Sequence, residues 1–156
     1  MSDLIKSDNP FTEDELAAMR RVAGLMIPAS EEFGVPGADD DAIFAAVALR
    51  CAEASDVLKA GIAAMESMAG ERHDARYVDL AADDAGKLAG DLQGARESFM
   101  RLLMSNIAQC YYLDDRVLEA LDIEPRPPFP EGHEVEQGDW SLLDPVRSRD
   151  KFYRPV

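Results

Sequence analysis

Soft metal ligands are scarce in this chain, which has two cysteines and two histidines. Cys51 and Cys110 lie far apart and form no Cys-x-x-Cys pair. That spacing argues against a disulfide framework, a zinc ribbon, covalently attached haem and an iron–sulfur cluster. His73 and His133 begin neither a Glu-x-x-His nor a His-x-x-x-His pattern, so a di-iron bundle or a zincin-type site lacks its ligands. Gly86, Gly90 and Gly94 are followed by no Lys-Ser/Thr pair and preceded by no strand, which rules out a phosphate loop. There is no Gly-x-Ser-x-Gly nucleophile elbow. The acidic runs Asp39-Asp40-Asp41 and Asp83-Asp84 stand where helices start, and capping accounts for them. No catalytic, cofactor-binding or metal-binding residue is assigned in this chain.

Long apolar runs are missing too; none approaches the ~20 residues that cross a bilayer. Positions 1–10 are polar and lack the apolar centre of a signal peptide. Met19-Arg20-Arg21 resembles a twin-arginine start, but the apolar stretch behind it is short and Glu31-Glu32 follow closely. An ordinary helix is the better reading, and a cytoplasmic protein is expected. Positive charge is also scarce: 16 Lys+Arg stand against 31 Asp+Glu, a formal net charge of −15. Residues 1–110 carry 10 bases against 20 acids and residues 111–156 carry 6 against 11, so neither part is basic. Phosphate backbones and anionic lipid surfaces are repelled by such a surface. Neither nucleic acid nor membrane is an expected partner.

What is present is helical. Apolar residues make up 47% of the 156 positions, enough for one core in one domain. Thr12-x-x-Glu15 is a capping box. Leu16, Met19, Val22, Ala23 and Met26 follow at helical spacing until Pro28 stops the run. Residues 33–37, Phe-Gly-Val-Pro-Gly, read as a loop. Behind Asp39-Asp40-Asp41, one long helix carries Phe44, Val47, Cys51, Ala54, Leu58, Gly61, Met65 and Met68 in a narrow seam for another helix. Cys51 lies in that seam and reads as a small core residue. Residues 70–79 are polar and read as a loop. A third helix over about 84–112 carries Leu88, Leu92, Ala95, Phe99, Leu102, Asn106 and Cys110 on one face. Gly86, Gly90 and Gly94 form a neighbouring stripe, read either as close approach by another helix or as fraying of the first turns. A short helix covers 115–121. No segment alternates with period two. The fold class is therefore all-α: an antiparallel helical bundle over residues 1–121 and an irregular arm over 122–156, together one structural domain.

The arm is unlike the rest. Six of the nine prolines and six of the eleven aromatic residues fall within 111–156. Proline cannot continue a helix, and a stiff, extended segment has few ways to bury its own rings. Exposed rings on such a backbone suggest a surface completed by another molecule.

Two regions resemble the gluconate 2-dehydrogenase subunit 3 family. One is Leu16-Ala17-Ala18-Met19-Arg20-Arg21-Val22-Ala23-Gly24-Leu25-Met26-Ile27-Pro28 with Phe33-Gly34-Val35-Pro36-Gly37-Ala38 behind it. The other comprises Tyr111-Tyr112-Leu113-Asp114-Asp115-Arg116-Val117, Arg126-Pro127-Pro128-Phe129-Pro130-Glu131-Gly132 and Gly138-Asp139-Trp140-Ser141-Leu142-Leu143-Asp144-Pro145-Val146-Arg147. The resemblance implies a non-catalytic small subunit of a complex with a large flavoprotein of the glucose–methanol–choline oxidoreductase type. The large subunit would hold the FAD and oxidise an alcohol, often on a sugar or sugar acid. The small one would support its folding, flavin loading or stability. On this reading the partner-binding residues are Tyr111, Tyr112, Asp115, Arg116, Arg126, Pro127, Pro128, Phe129, Trp140, Asp144 and Arg147. Tyr111, Tyr112, Phe129 and Trp140 serve as aromatic anchors, and Arg116, Arg126 and Arg147 as bidentate partners for carboxylates. Three alternatives stay open. The arm folds back over its own bundle, with Trp140 covering an exposed seam; or the chain is a stand-alone helical enzyme or ligand-binding protein, with Tyr112, Asp115 and His133 around a small cleft; or it is a scaffold or regulatory module with no flavin link.

Overall fold

A computed structural model describes residues 9–95, 97–127, 129–132 and 137–150. The first helix, α1, spans Glu13–Met26 and starts as its sequence dictates. The Glu15 amide donates to the Thr12 hydroxyl at 3.2 Å, and the Thr12 amide donates to the Glu15 carboxylate at 2.8 Å. Leu16, Ala18, Met19, Val22 and Ala23 form its buried stripe. Beyond Pro28 the chain turns back on itself. Ser30 and Val35 exchange backbone hydrogen bonds of 3.0 and 3.1 Å, and Gly34 supplies the left-handed φ of 64° that the reversal needs.

Helix α2, Asp41–Cys51, is capped by Asp40, whose carboxylate accepts from the amides of Ala42 and Ile43. The sequence suggested one helix running on to Met68. The structure instead interrupts it with a 3-10 turn at Ala52–Ala54 before α3, Ser55–His73. A single three-residue turn barely disturbs a spacing of three and four, so the apolar seam runs through it unmarked. The expected loop over 70–79 is also corrected. Helix α3 continues to His73 and ends on Asp74 in the left-handed region, with φ of 52°. A further 3-10 turn, Tyr77–Asp79, then carries a fully buried tyrosine.

The third expected helix is described as two stretches, α4, Ala82–Ala95, and α5, Glu97–Tyr111. Cross-chain contacts give the direction. Arg50 meets Asn106, Gly61 meets Phe99 and Arg72 meets Asp91. As one member of each pair rises along the chain the other falls, so α2 and α3 run antiparallel to α5 and α4. The α1 stripe packs into the same core, whose largest fully buried side chains include Tyr77, Phe99, Met19, Ile43 and Leu58. Helix α6, Asp115–Ala120, buries Val117 in this core. No strand occurs among the described residues. The protein is all-α.

Only one of the seam and stripe glycines marks a close approach. A Cβ added at Gly61 would overlap the ring of Phe99, itself 2% exposed. By contrast, a Cβ at Gly86, Gly90 or Gly94 meets nothing within 4 Å, so the close helix approach suggested for this stripe does not occur among the described residues. Opposite signs are therefore expected for the same change. Gly61→Ala should destabilise by about 1–3 kcal/mol net, because overpacking outweighs the better helix propensity of alanine. Gly86→Ala should stabilise by about 0.5–1 kcal/mol. Urea midpoints of the two variants check this; a Gly61→Ala midpoint at or above wild type would show that Phe99 yields freely.

The chain divides into two compact units, Met1–Pro125 and Arg126–Val156. The second contains a 3-10 turn, Trp140–Leu143, which leads directly into α7, Asp144–Arg147.

Candidate functional site

Helix α5 ends on a tyrosine pair. Consecutive helical positions point about 100° apart, so the two rings separate. Tyr111 is 4% exposed and Tyr112 is 53% exposed. Their rings meet edge to face, with centroids 5.2 Å apart. This corrects the expectation for Tyr111: its ring belongs to the bundle core and is no free anchor. Tyr112 and the next residue, Leu113, are the pair that faces solvent.

The turn after them is fixed by an arginine. Asp114 caps α6 by accepting from the Arg116 amide at 3.0 Å. The Arg116 guanidinium donates to both Asp114 oxygens at 2.9 Å and to the two Asp40 oxygens at 2.8 and 3.3 Å. Since Asp40 caps α2, one guanidinium ties together the starts of two helices that are distant in sequence. Arg116 was expected to reach a partner carboxylate; its fork is instead committed within the chain, and Asp115 beside it remains exposed.

The clamp has a pH signature. Hydrogen bonds from Arg116 hold both Asp40 and Asp114 below the ordinary carboxylate value of 3.8. A carboxylate whose pKa is lowered in the folded state stabilises that state above its unfolded pKa. The contribution is lost as pH falls through the folded pKa. The Arg116 side chain is about half exposed, so solvent screening limits the effect. Arg116→Ala should therefore cost about 1 kcal/mol at neutral pH. The difference from wild type should shrink as pH falls through the lowered folded pKa of the two carboxyls, and vanish once both are protonated in either state. Denaturation curves across that range test it; a difference that persists in acid would mean the arginine acts through packing.

Both thiols are closed off. Burial pushes Cys51 up to about 11 and raises Cys110 as well. Each behaves as a small core side chain and not as a nucleophile. Asn106, only 8% exposed, accepts from Arg50 Nε at 3.0 Å, and Gln109 accepts from Arg50 Nη2. Among the described residues no group of three or more His, Cys, Asp or Glu side chains is placed to hold a metal ion. None of the described helices is long and apolar enough to cross a membrane.

The second unit presents apolar side chains to solvent: Phe129 is 87% exposed, Leu142 74%, Trp140 63% and Val146 55%. Its turn is held locally. The Asp139 carboxylate accepts from the Ser141 amide at 2.9 Å and from its hydroxyl at 2.6 Å. Arg126 is engaged within the unit, donating to the Gly132 carbonyl at 2.7 Å. Asp144 and Arg147 face each other one helical turn apart at 3.5 Å, both side chains largely exposed. Pro127 is exposed. Pro128 and His133 lie outside the described residues. The proposed cleft of Tyr112, Asp115 and His133 therefore reduces here to two exposed side chains of the first unit.

Sequence reasoning missed Leu49 and Leu113, which are 76% and 69% exposed and line one groove with Arg50. The available signal was Leu49 itself, a large apolar residue standing off the α2 seam.

Residues 13–122 match the model of the family described as gluconate 2-dehydrogenase subunit 3. Neither a curated protein nor a solved structure matches the chain.

Proposed function

Because the chain belongs to the gluconate 2-dehydrogenase subunit 3 family, we propose that it is the non-catalytic small subunit of an FAD-dependent oxidoreductase of the glucose–methanol–choline type. The large flavoprotein subunit holds the flavin and carries out alcohol oxidation, and this chain supports its folding, flavin loading or stability. Family membership links it to a dehydrogenase complex. The observation that carries the partner role is the exposed apolar series of the second unit, Phe129, Trp140, Leu142 and Val146. Large apolar side chains left exposed on a strongly acidic chain favour a surface that a partner covers. Tyr112, Phe129 and Trp140 are the aromatic anchors in this reading. Asp115, Asp144 and Arg147 lie at exposed positions where they can contribute polar contacts.

The test is co-expression with the large dehydrogenase subunit, followed by purification through a tag on the small chain and an absorbance spectrum. A flavin-containing complex is expected from the pair, and a colourless protein from the small chain alone. A yellow, stoichiometrically loaded preparation of the isolated small chain would overturn the accessory role.

A further inference from the structure

We propose that the groove between α2 and the turn joining α5 to α6 is a second docking site, taking an apolar, carboxylate-bearing segment of the large subunit. The inference rests on the subunit reading above and adds a surface in the first unit, separate from the arm residues. The groove encloses about 640 Å³, and its walls include Ala46, Leu49, Arg50, Cys110 and Leu113. Leu49 and Leu113 are 76% and 69% exposed, so these walls are open rims and not the lining of an enclosed cavity. A small molecule would be poorly covered there, since ligand pockets bury about 70–90% of their occupant. A helix or extended strand with one apolar face fits such a groove better.

Charge identifies the occupant further. The capping carboxylates Asp40 and Asp114 are already paired with Arg116, and Asp41 with Arg20. Arg50 is different. In a chain with 31 acids against 16 bases, its guanidinium is bonded only to the neutral amide oxygens of Asn106 and Gln109. It makes no ion pair among the described residues. Those two bonds fix the plane of the fork and leave about three of its five N–H groups free for a carboxylate. Glu53 also lines the groove, is exposed and forms no ion pair with Arg50. It lies within the 3-10 turn, three positions after Arg50. A second copy of this chain is disfavoured as occupant, because it would oppose two surfaces of net charge −15.

The experiment measures affinity of purified small-chain variants for the large subunit. Leu49→Asp and Arg50→Glu should each weaken binding by roughly tenfold or more. Val57→Asp, at an exposed position on α3, should leave it within about twofold, the usual tolerance of a neutral surface site. A photo-crosslinker at position 49 should join the two subunits, with unchanged circular dichroism showing that the fold is intact. A wild-type chain that forms no complex would sink the subunit reading and the groove with it. A normal wild-type complex that tolerates both groove variants, or gives no crosslink from position 49, would overturn the groove alone.

Discussion

Replacing Tyr77 by alanine is expected to destabilise the bundle by about 3–5 kcal/mol, as for truncation of a core aromatic. The residue is fully buried, yet it stands in a short 3-10 turn between two helices. Its amide donates to the Glu66 carboxylate of α3 at 3.0 Å, and its hydroxyl donates to the Ala85 carbonyl of α4 at 3.3 Å. One residue thus fixes the α3-to-α4 connection from both ends. Burial pushes its phenol up to about 12, so it stays neutral throughout the ordinary range. The ring also borders a hollow of about 220 Å³ lined by Val22, Met26 and Met100. Truncation would enlarge that hollow, and the packed helices around it have limited room to collapse. Tyr77→Phe keeps the ring and loses one long hydrogen bond, so about 0.5–1.5 kcal/mol is expected. Urea denaturation separates the two variants by midpoint at similar slope. An alanine variant within about 1 kcal/mol of wild type would show that the connection is held by something other than this ring.

Tyr77 also shows where the sequence stops being legible. Its neighbours, Arg72-His73-Asp74-Ala75-Arg76 before it and Val78-Asp79 after it, are mostly polar and have no period. Nothing local separates a buried ring from an exposed one there; the packing of α1, α3 and α4 decides. Helix α1 is the opposite case. Its capping box, apolar stripe and proline stop all act within a few residues, and each is found where the sequence places it. The glycines make the same point. Regular spacing drew attention to Gly86, Gly90 and Gly94, whereas the close contact belongs to Gly61, which lies inside an apolar seam and faces a ring 38 positions away. The candidate site was legible as composition and opaque as geometry. The Tyr111-Tyr112 pair announced an aromatic corner, but which ring turns inward depends on where α5 ends. Arg116 announced a bidentate donor, but its second acceptor, Asp40, lies 76 positions upstream. Long-range pairing of that kind leaves no mark on the local sequence.

Trp140→Ala is expected to separate association from folding. The indole is 63% exposed, and it opens the Trp140–Leu143 turn, which Asp139 caps through Ser141. Those capping bonds involve the backbone and a serine, so the turn does not depend on the ring. Hydrogen bonds from Ser141 hold the Asp139 carboxyl below its ordinary value. A tryptophan offers about 150–250 Å² for burial and an N–H donor in search of an acceptor, which makes it an effective anchor for a partner surface. Removing it should cost roughly 2–4 kcal/mol of association with the large subunit, about 30- to 1,000-fold in Kd. The melting temperature of the free small chain should move by no more than about 2 °C, since an exposed side chain contributes little to the folded state. The opposite pattern has an equally definite meaning. If Trp140 covers an apolar seam of its own chain, the variant should lose about 3–5 kcal/mol of stability and bind its partner almost as before. Calorimetric melting of the free chain and titration against the flavoprotein, performed on one preparation, give both numbers. Unchanged affinity with a collapsed melting temperature would remove Trp140 from the interface and take the main support from a partner-binding arm.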